Sequence, residues 1–227
     1  MFSAIKLGTT TSSKTKYECN LHASVSDKSV WILKSRLGAI CGGVESGRKR
    51  LEKYELYKPL EYFITKLEGK QLELIFLRSQ YSMDSDKPML ERTRSIIRYG
   101  NPETHRNRAA TIRPIYVSEV YHGSGRKLLK GLMYTMSSSH IRSGYWFRFQ
   151  EKTQIGLYQV FETNSENPEI QSPISPDKTW IVEVSTIAES QELIEKAVES
   201  LEKVKVLLKG TADLVVLDHM YTRPVVP

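Results

Sequence analysis

Alternation of apolar and polar residues predicts strands in several parts of the chain. In Tyr17–Val25 every second side chain is apolar or small, which is the period at which a strand presents side chains to opposite faces. The same pattern, or a short apolar run between turn residues, predicts the remaining strands. They are Gln71–Leu77, Thr111–Tyr121, a hairpin over residues 144–162, and Trp180–Ile187.

Apolar residues at three- and four-residue spacing predict helices. Val30–Ile40 and Ser190–Leu201 each place their apolar side chains on one helical face. Pro59 fits the first position of a further helix, because proline lacks the N–H group that this position leaves unbonded. A final hairpin is predicted from Val204–Leu208 and Leu214–His219.

These elements predict a single α+β domain over residues 17–227, an antiparallel sheet packed with a few amphipathic helices. Residues 1–16 are small, polar and basic, which predicts a flexible tail. The polar stretch of residues 79–110, with its prolines and glycine, predicts a long mobile loop. No apolar run reaches the roughly 18–20 residues that span a bilayer, so we expect any membrane contact to be peripheral.

Charge is divided unevenly along the chain. Residues 1–130 carry 24 Lys and Arg against 13 Asp and Glu, a net charge of +11. Residues 131–227 carry 9 against 13, a net charge of −4. The composition is otherwise ordinary for a globular protein, with 40% hydrophobic and 26% charged residues. A basic front half indicates a polyanionic partner, either nucleic acid or an anionic membrane.

Three basic clusters and the basic tail supply candidate polyanion-binding residues. Each cation near an anionic lipid surface contributes about 1 kcal/mol, and the same cations would bind phosphate backbones with a steep salt dependence. Any one cluster is equally well explained as a solvated surface. The predicted contact residues are Lys6, Lys14, Lys16, Arg48, Lys49, Arg50, Lys53, Arg106, Arg108, Arg126 and Lys127.

Motifs for catalysis and cofactor binding do not occur in the sequence. It contains no GxxxxGK[ST] phosphate loop, no HExxH, no GxSxG and no CxxC pair. Cys19 and Cys41 are too few for a cysteine-based zinc site and predict reduced thiols. We therefore expect a protein that is not an enzyme and needs no cofactor or metal. The alternative is a degenerate nuclease built on Glu183, although Ser185 stands where such a site has its lysine.

Two parts of the sequence resemble the core of rhabdovirus matrix proteins. At the front, a strand, an apolar helix and a basic turn lead to Tyr57-Lys58-Pro59-Leu60-Glu61-Tyr62-Phe63-Ile64, similar to the opening of that core. At the back, Gln154-Ile155-Gly156-Leu157-Tyr158 resembles a strand motif of the vesicular type. The run from Glu195-Lys196-Ala197-Val198 to Val215-Val216-Leu217-Asp218 is similar to the closing helix and hairpin of the family. The PPxY and P[ST]AP budding motifs of such proteins do not occur.

The resemblance implies a viral matrix protein with a rhabdovirus-matrix-like core. Such a protein would line the inner face of the virion envelope, bind anionic membrane and the ribonucleoprotein, self-associate, and drive budding at the plasma membrane of the host. Tyr57 and Leu60 would then form a YxxL late motif for host budding factors, although they also fit a buried helix start. The residues leave open a second hypothesis, a soluble basic RNA-binding or nucleocapsid-accessory protein.

Overall fold

The computed structural model describes residues 15–43, 47–60, 73–83, 90–103, 108–163 and 171–217. The strands in these ranges are β1 (Lys16–Val25), β2 (Arg48–Pro59), β3 (Ile75–Ser82), β4 (Leu90–Tyr99), β5 (Thr111–Glu119), β6 (Tyr134–Phe149), β7 (Thr153–Thr163), β8 (Gln171–Pro173) and β9 (Trp180–Ala188). The α-helices are α1 (Val30–Ile40), α2 (Gly125–Gly131) and α3 (Ile194–Leu208). None of these helices has both the length and the hydropathy needed to cross a bilayer.

Eight of the strands form a closed antiparallel barrel. Their order around the barrel is β6-β2-β3-β4-β5-β1-β9-β7, and pairing of β6 with β7 completes the ring. The short strand β8 pairs with the end of β7. Because a closed barrel has no free edge, the backbone groups of these strands are satisfied by their neighbours on both sides.

Strand β1 shows how the two-residue period divides the barrel wall into two surfaces. Cys19 and Leu21 point outward and are fully buried in an apolar core. Glu18 faces the lumen, the cavity inside the barrel, and accepts a hydrogen bond from the Asn20 amide at 3.4 Å. The wall is therefore apolar on its outer surface and polar on its inner surface.

Two apolar cores lie between the outer surface of the wall and the helices. The larger core packs α1 and α3 onto the barrel, and Leu37 and Leu201 within it are fully buried. The smaller core lies beneath α2, where Leu129 is fully buried. Helix α2 is short and begins after Ser124, whose hydroxyl oxygen accepts a hydrogen bond from the backbone N–H of Lys127.

The α+β class is confirmed, as are several predicted elements. Tyr17–Val25, Thr111–Tyr121 and Trp180–Ile187 coincide with β1, β5 and β9 to within two residues. The hairpin over residues 144–162 is the paired part of β6 and β7. Helix α1 has the predicted bounds, Val30–Ile40. These segments all pack on the larger core, where an apolar outer face gives the sequence a clear period.

The helix predicted to begin at Pro59 is wrong at that residue. Pro59 is the last residue of β2, which pairs with β3 on one side and with β6 on the other. Pairing along both edges overrides the local preference of this lysine- and glutamate-containing segment. Beyond Leu60, the predicted helix falls on residues 61–72, which lie outside the described residues.

The mobile loop predicted over residues 79–110 is also wrong where the structure describes it. Strand β3 continues to Ser82, and Leu90–Tyr99 forms β4. Tyr99 of β4 faces the polar lumen, so the strand does not show the simple apolar-polar alternation of a sheet on a dry core. Residues 84–89 and 104–107 lie outside the described residues.

The final hairpin is wrong because its first strand belongs to α3. Val204 and Leu208 stand four residues apart on the buried face of that helix, in line with Leu201. The second predicted strand is reduced to one antiparallel bridge between Val215 and His22. The five-residue apolar run therefore continues a helical face and does not begin a strand.

Gly144 of β6 lies where β7 approaches too closely for a side chain. A Cβ atom on Gly144 would stand 2.2 Å from the carbonyl oxygen of Leu157 and 2.6 Å from the Cα of Tyr158. We expect Gly144→Ala to lower the free energy of unfolding by about 1–3 kcal/mol or more, because the backbone of β7 must move. Urea denaturation measures the change. Gly131→Ala is the control, since a Cβ there meets nothing within 4 Å, and equal stability of the two variants would contradict this close approach.

Candidate functional site

The barrel lumen is a polar cavity of about 260 Å³. Side chains from all eight barrel strands line it. Its charged residues are Glu18, Glu52, Arg78, Arg113, Arg142, Lys152 and Glu183. Because an enclosed charge is costly unless it is paired or hydrogen-bonded, the contacts among these side chains decide what the cavity can do.

Arg142 and Glu183 form the most extensively contacted pair in the lumen. The Arg142 guanidinium donates to the Glu183 carboxylate at 2.9 Å, and the Tyr158 hydroxyl donates to the same carboxylate oxygen. The guanidinium also lies 4.4 Å from the ring centre of Tyr54 and 5.0 Å from that of Tyr158. Burial opposes ionisation of Glu183, but Arg142 overcomes it with help from Tyr158, and the pKa of Glu183 is lowered to about 2.

The other two lumen carboxylates are engaged as well. Glu18 accepts from Nε of Arg113 at 2.7 Å, and that guanidinium stacks 3.6 Å from the Tyr99 ring centre. Glu52 accepts from the Tyr54 hydroxyl at 3.1 Å and from the amide of Gln80 at 2.6 Å. Each carboxylate in the lumen thus spends its oxygens on protein donors.

This arrangement bears on the nuclease alternative raised by the sequence. A metal-dependent nuclease needs carboxylate oxygens that are free to bind the ion. In the lumen, Glu183 is held by Arg142 and Tyr158. Among the described residues, no group of three or more His, Cys, Asp or Glu side chains has an arrangement that could hold a metal ion.

Two histidines on the inner face of the barrel are held in the neutral form. His140 stacks on Tyr54 with the ring centres 5.3 Å apart. Burial, reinforced by the charge of Arg142, lowers the pKa of His140 to about 4. Burial likewise lowers the pKa of His22, against the opposing influence of Glu183. Both imidazoles are therefore uncharged at neutral pH.

The candidate polyanion-binding residues are dispersed around the barrel, and several are paired with carboxylates. Lys16 pairs with Glu189 at 2.7 Å, at the start of β1. Lys53 lies 3.4 Å from Glu55. Arg108 forms an ion pair with Glu103.

Arg126 serves to attach α2 to the barrel. Its Nε donates to the Glu55 carboxylate at 2.9 Å, and a terminal nitrogen bonds the second oxygen. The Glu55 side chain is only 4% exposed, whereas that of Arg126 is 62% exposed. Although burial opposes its ionisation, the hydrogen bond and charge of Arg126 lower the pKa of Glu55. The next residue, Lys127, is exposed.

The remaining candidates do not come together into one surface. Arg48 and Lys49 are exposed at the start of β2, and Arg50 beside them is half-buried. Lys6, Lys14 and Arg106 lie outside the described residues. The binding role predicted for these side chains therefore receives no support from a shared geometry.

Tyr57 and Leu60, the proposed late motif, differ in accessibility. Tyr57 is only 4% exposed, and its hydroxyl donates to Glu55. Leu60 is 40% exposed, just beyond the end of β2. A short linear motif must be accessible to be bound, and the tyrosine of this pair is enclosed by the barrel and α2.

Sequence reasoning missed the lumen. The signal was present in β1, where Glu18 and Asn20 alternate with the buried Cys19 and Leu21. Polar residues at every second position of a strand are usually assigned to solvent. They point into an enclosed space here because the sheet closes on itself.

The same fold and sequence pattern occur in a known family. A family model described as Med18 protein matches residues 17–223. The chain belongs to the Med18 family. It is 31% identical over 121 residues to Mediator of RNA polymerase II transcription subunit 18 of Schizosaccharomyces pombe, an alignment that covers 51% of this chain and 58% of that protein. The aligned part thus spans less than two thirds of the length of this relative.

Solved structures support the relationship at the level of the fold. A chain in the Schizosaccharomyces pombe Mediator head module is 22% identical with a TM-score of 0.68, covering 88% of this chain and 98% of that chain. The Mimivirus capping enzyme triphosphatase is 9% identical with a TM-score of 0.52, covering 88% of this chain and 91% of that chain. Similarity to both structures, at these identities, shows a shared fold and no more.

The family overturns the resemblance to rhabdovirus matrix proteins. The similar segments are short pieces of a different architecture, since Gln154-Ile155-Gly156-Leu157-Tyr158 lies within β7 and Tyr57-Lys58-Pro59 ends β2. The predicted matrix function, the membrane and nucleocapsid partners, and the location in the virion are therefore wrong, because the matched family is that of a Mediator subunit. The RNA-binding alternative is not supported either.

We expect Arg126→Ala to destabilise this Med18 protein by about 1–3 kcal/mol, because it leaves the buried Glu55 carboxylate without its main donor. Chemical denaturation measures the loss. The matched control is Lys127→Ala, which removes an exposed cation from the same helix and should change stability by less than about 0.5 kcal/mol. If the two variants were equally stable, the attachment of α2 through Glu55 would be refuted.

A second prediction concerns the acid side of the stability curve. Since the folded pKa of His140 is about 4 and its ordinary value is 6.5, the unfolded chain takes up the proton first. The resulting stability is complete above pH 6.5 and is lost as pH falls towards 4. Between pH 7 and pH 5 this amounts to about 2 kcal/mol. His140→Phe keeps a ring against Tyr54 and should lose less stability over that interval in urea titrations. An unchanged pH dependence would show that His140 titrates normally.

Proposed function

We propose that this Med18 protein is a non-catalytic structural subunit that assembles with other subunits of a Mediator head module and so acts in RNA polymerase II transcription. The observation that carries the proposal is the family match over residues 17–223 together with the fold shared with a chain of the head module at a TM-score of 0.68. The Schizosaccharomyces pombe relative, named as a Mediator subunit, supports the same assignment.

The chemistry of the lumen supports a role without catalysis. The fold is shared with a triphosphatase, so the cavity is the place where hydrolytic chemistry would be sought. Here Glu18 and Glu183 each bond an arginine, and Glu52 is hydrogen-bonded by Tyr54 and Gln80. Charges that neutralise one another leave neither free carboxylates for a metal ion nor free guanidinium groups for a phosphate.

The outer surface supports a role in assembly. Several large apolar side chains are strongly exposed on the described surface, among them Trp31 at 68% and Val206 at 72%. Exposed apolar groups of this size are typical of surfaces that other proteins cover. The lumen is thus satisfied internally, whereas the outside retains unsatisfied apolar area.

Co-expression with the other head-module subunits of the same organism tests the proposal. We expect the chain to co-elute with them at equal stoichiometry in size-exclusion chromatography, because it should bury part of its apolar surface against them. Incubation of the purified chain with inorganic triphosphate and Mg²⁺ or Mn²⁺ should release no phosphate above the blank, with the Mimivirus enzyme as positive control. Separate elution would contradict the assembly role, and metal-dependent hydrolysis would contradict the non-catalytic one.

A further inference from the structure

Helix α1 carries apolar side chains on both of its faces. On the inner face Leu33 and Leu37 are fully buried in the larger core. On the outer face Trp31 is 68% exposed and Ile32 is 46% exposed. A surface helix of a globular protein normally presents polar residues to solvent, so the outer face of α1 has the character of a surface that another element covers.

The exposed residues of α1 form a continuous stripe at helical spacing. The α1 stripe consists of Lys28, Trp31, Ile32, Ser35, Arg36 and Ala39, all of them exposed. Neighbouring members are three or four residues apart and therefore lie one above another. Ser35 and Ala39 are small, which allows a second helix to approach closely beside the tryptophan. The stripe is thus shaped to receive a helix.

The charge of this stripe has one sign. Residues 28–43 contain Lys28, Lys34 and Arg36 and no aspartate or glutamate. In the part of the chain that the structure describes, no ion pair joins these cations to a carboxylate. Lys34 instead lies 3.7 Å from the ring centre of Tyr145, and Arg36 donates to the neutral hydroxyl of Thr211. Their positive charge therefore remains available to an acidic partner.

The other surfaces of the chain do not show this combination. On α3 the exposed Val206 lies among charges of both signs, Glu202, Lys203 and Lys205. Such a mixed surface does not select the charge of a partner. The tail of residues 1–14 carries Lys6 and Lys14 and no acidic residue, so it is not complementary to α1 and is a poor candidate for covering it.

We propose that the α1 stripe is the docking site for an acidic amphipathic helix of another head-module subunit. Trp31 and Ile32 anchor the apolar face of that helix, and Lys28 and Arg36 pair with carboxylates along its edge. An exposed tryptophan beside a cation is the kind of residue that dominates binding energy at interfaces. The inference rests on the proposed assembly role, to which it adds the surface and the chemistry of the partner.

Site-specific photo-crosslinking in the reconstituted head module tests the inference. The photoreactive residue p-benzoylphenylalanine replaces Ile32, and in the control it replaces Glu199, which is exposed on α3. We expect the Ile32 probe to crosslink to a segment of another subunit that is rich in aspartate and glutamate and has apolar residues at helical spacing. The Glu199 probe should not label that segment.

Several crosslinking outcomes would overturn the inference. They are labelling of a basic or uncharged segment, labelling of a second copy of this chain, labelling of residues within the same chain, and no labelling at all. Each would mean that α1 is covered by something else or remains open to solvent in the assembled module.

Charge reversal and truncation of the anchor give an independent measurement. The double variant Lys28→Glu/Arg36→Glu and the variant Trp31→Ser should each weaken binding to a head module lacking this chain by at least tenfold, measured by biolayer interferometry. Val206→Ser on α3 should bind as the unmodified chain does. Because all these side chains are exposed, circular dichroism melts should be unchanged and exclude misfolding.

The two proposals fail in different ways. Unchanged affinity of the Lys28→Glu/Arg36→Glu and Trp31→Ser variants, with the unmodified chain still joining the module, would overturn the docking site and leave the assembly role intact. Failure of the unmodified chain to join the module would overturn the assembly role itself.

Discussion

The contact between Arg142 and Glu183 ties together the strands at the seam of the barrel. Arg142 belongs to β6 and Glu183 to β9, and Tyr158 of the intervening β7 donates to the same carboxylate. The guanidinium also covers the Tyr54 ring of β2. Four strands therefore meet around one ion pair. Such pairs often add little net stability, but losing one partner leaves an uncompensated charge and costs several kcal/mol. The pair thus favours the closed ring over a sheet opened between β6 and β7.

A polar lumen decides where the apolar residues must go. If the inner face is occupied by charges, the hydrophobic core has to lie outside the wall, under helices that cover it. Helix α3 follows this arrangement, with Leu201 and Leu208 buried. Helix α1 does so too, but it keeps Trp31 exposed on the side away from the barrel. The inside of this protein is satisfied by its own side chains, and its unfinished apolar surface is on the helices.

The sequence revealed the elements that border the apolar cores and missed those that border the lumen. Strands β1 and β9 have one dry face, so their period is visible without a structure. Strand β2 was assigned in part to a helix, because Glu52 and Tyr54 face a polar cavity and obscure the alternation. The site itself was out of reach, since Arg113 and Glu18 are 95 residues apart in sequence. Nothing local in either segment indicates that they meet.

The net charge of +11 over residues 1–130 illustrates the same limit. A sum along the chain treats every cation as part of the surface, yet Arg78 and Arg113 line the lumen and Arg126 bonds a buried carboxylate. What a partner senses is the charge left on one face after internal pairing, within about 10 Å at physiological salt. Charge is therefore informative where a single element fixes its position, as α1 does for Lys28 and Arg36. Summed over half a protein, it mixes groups that face solvent with groups that face one another.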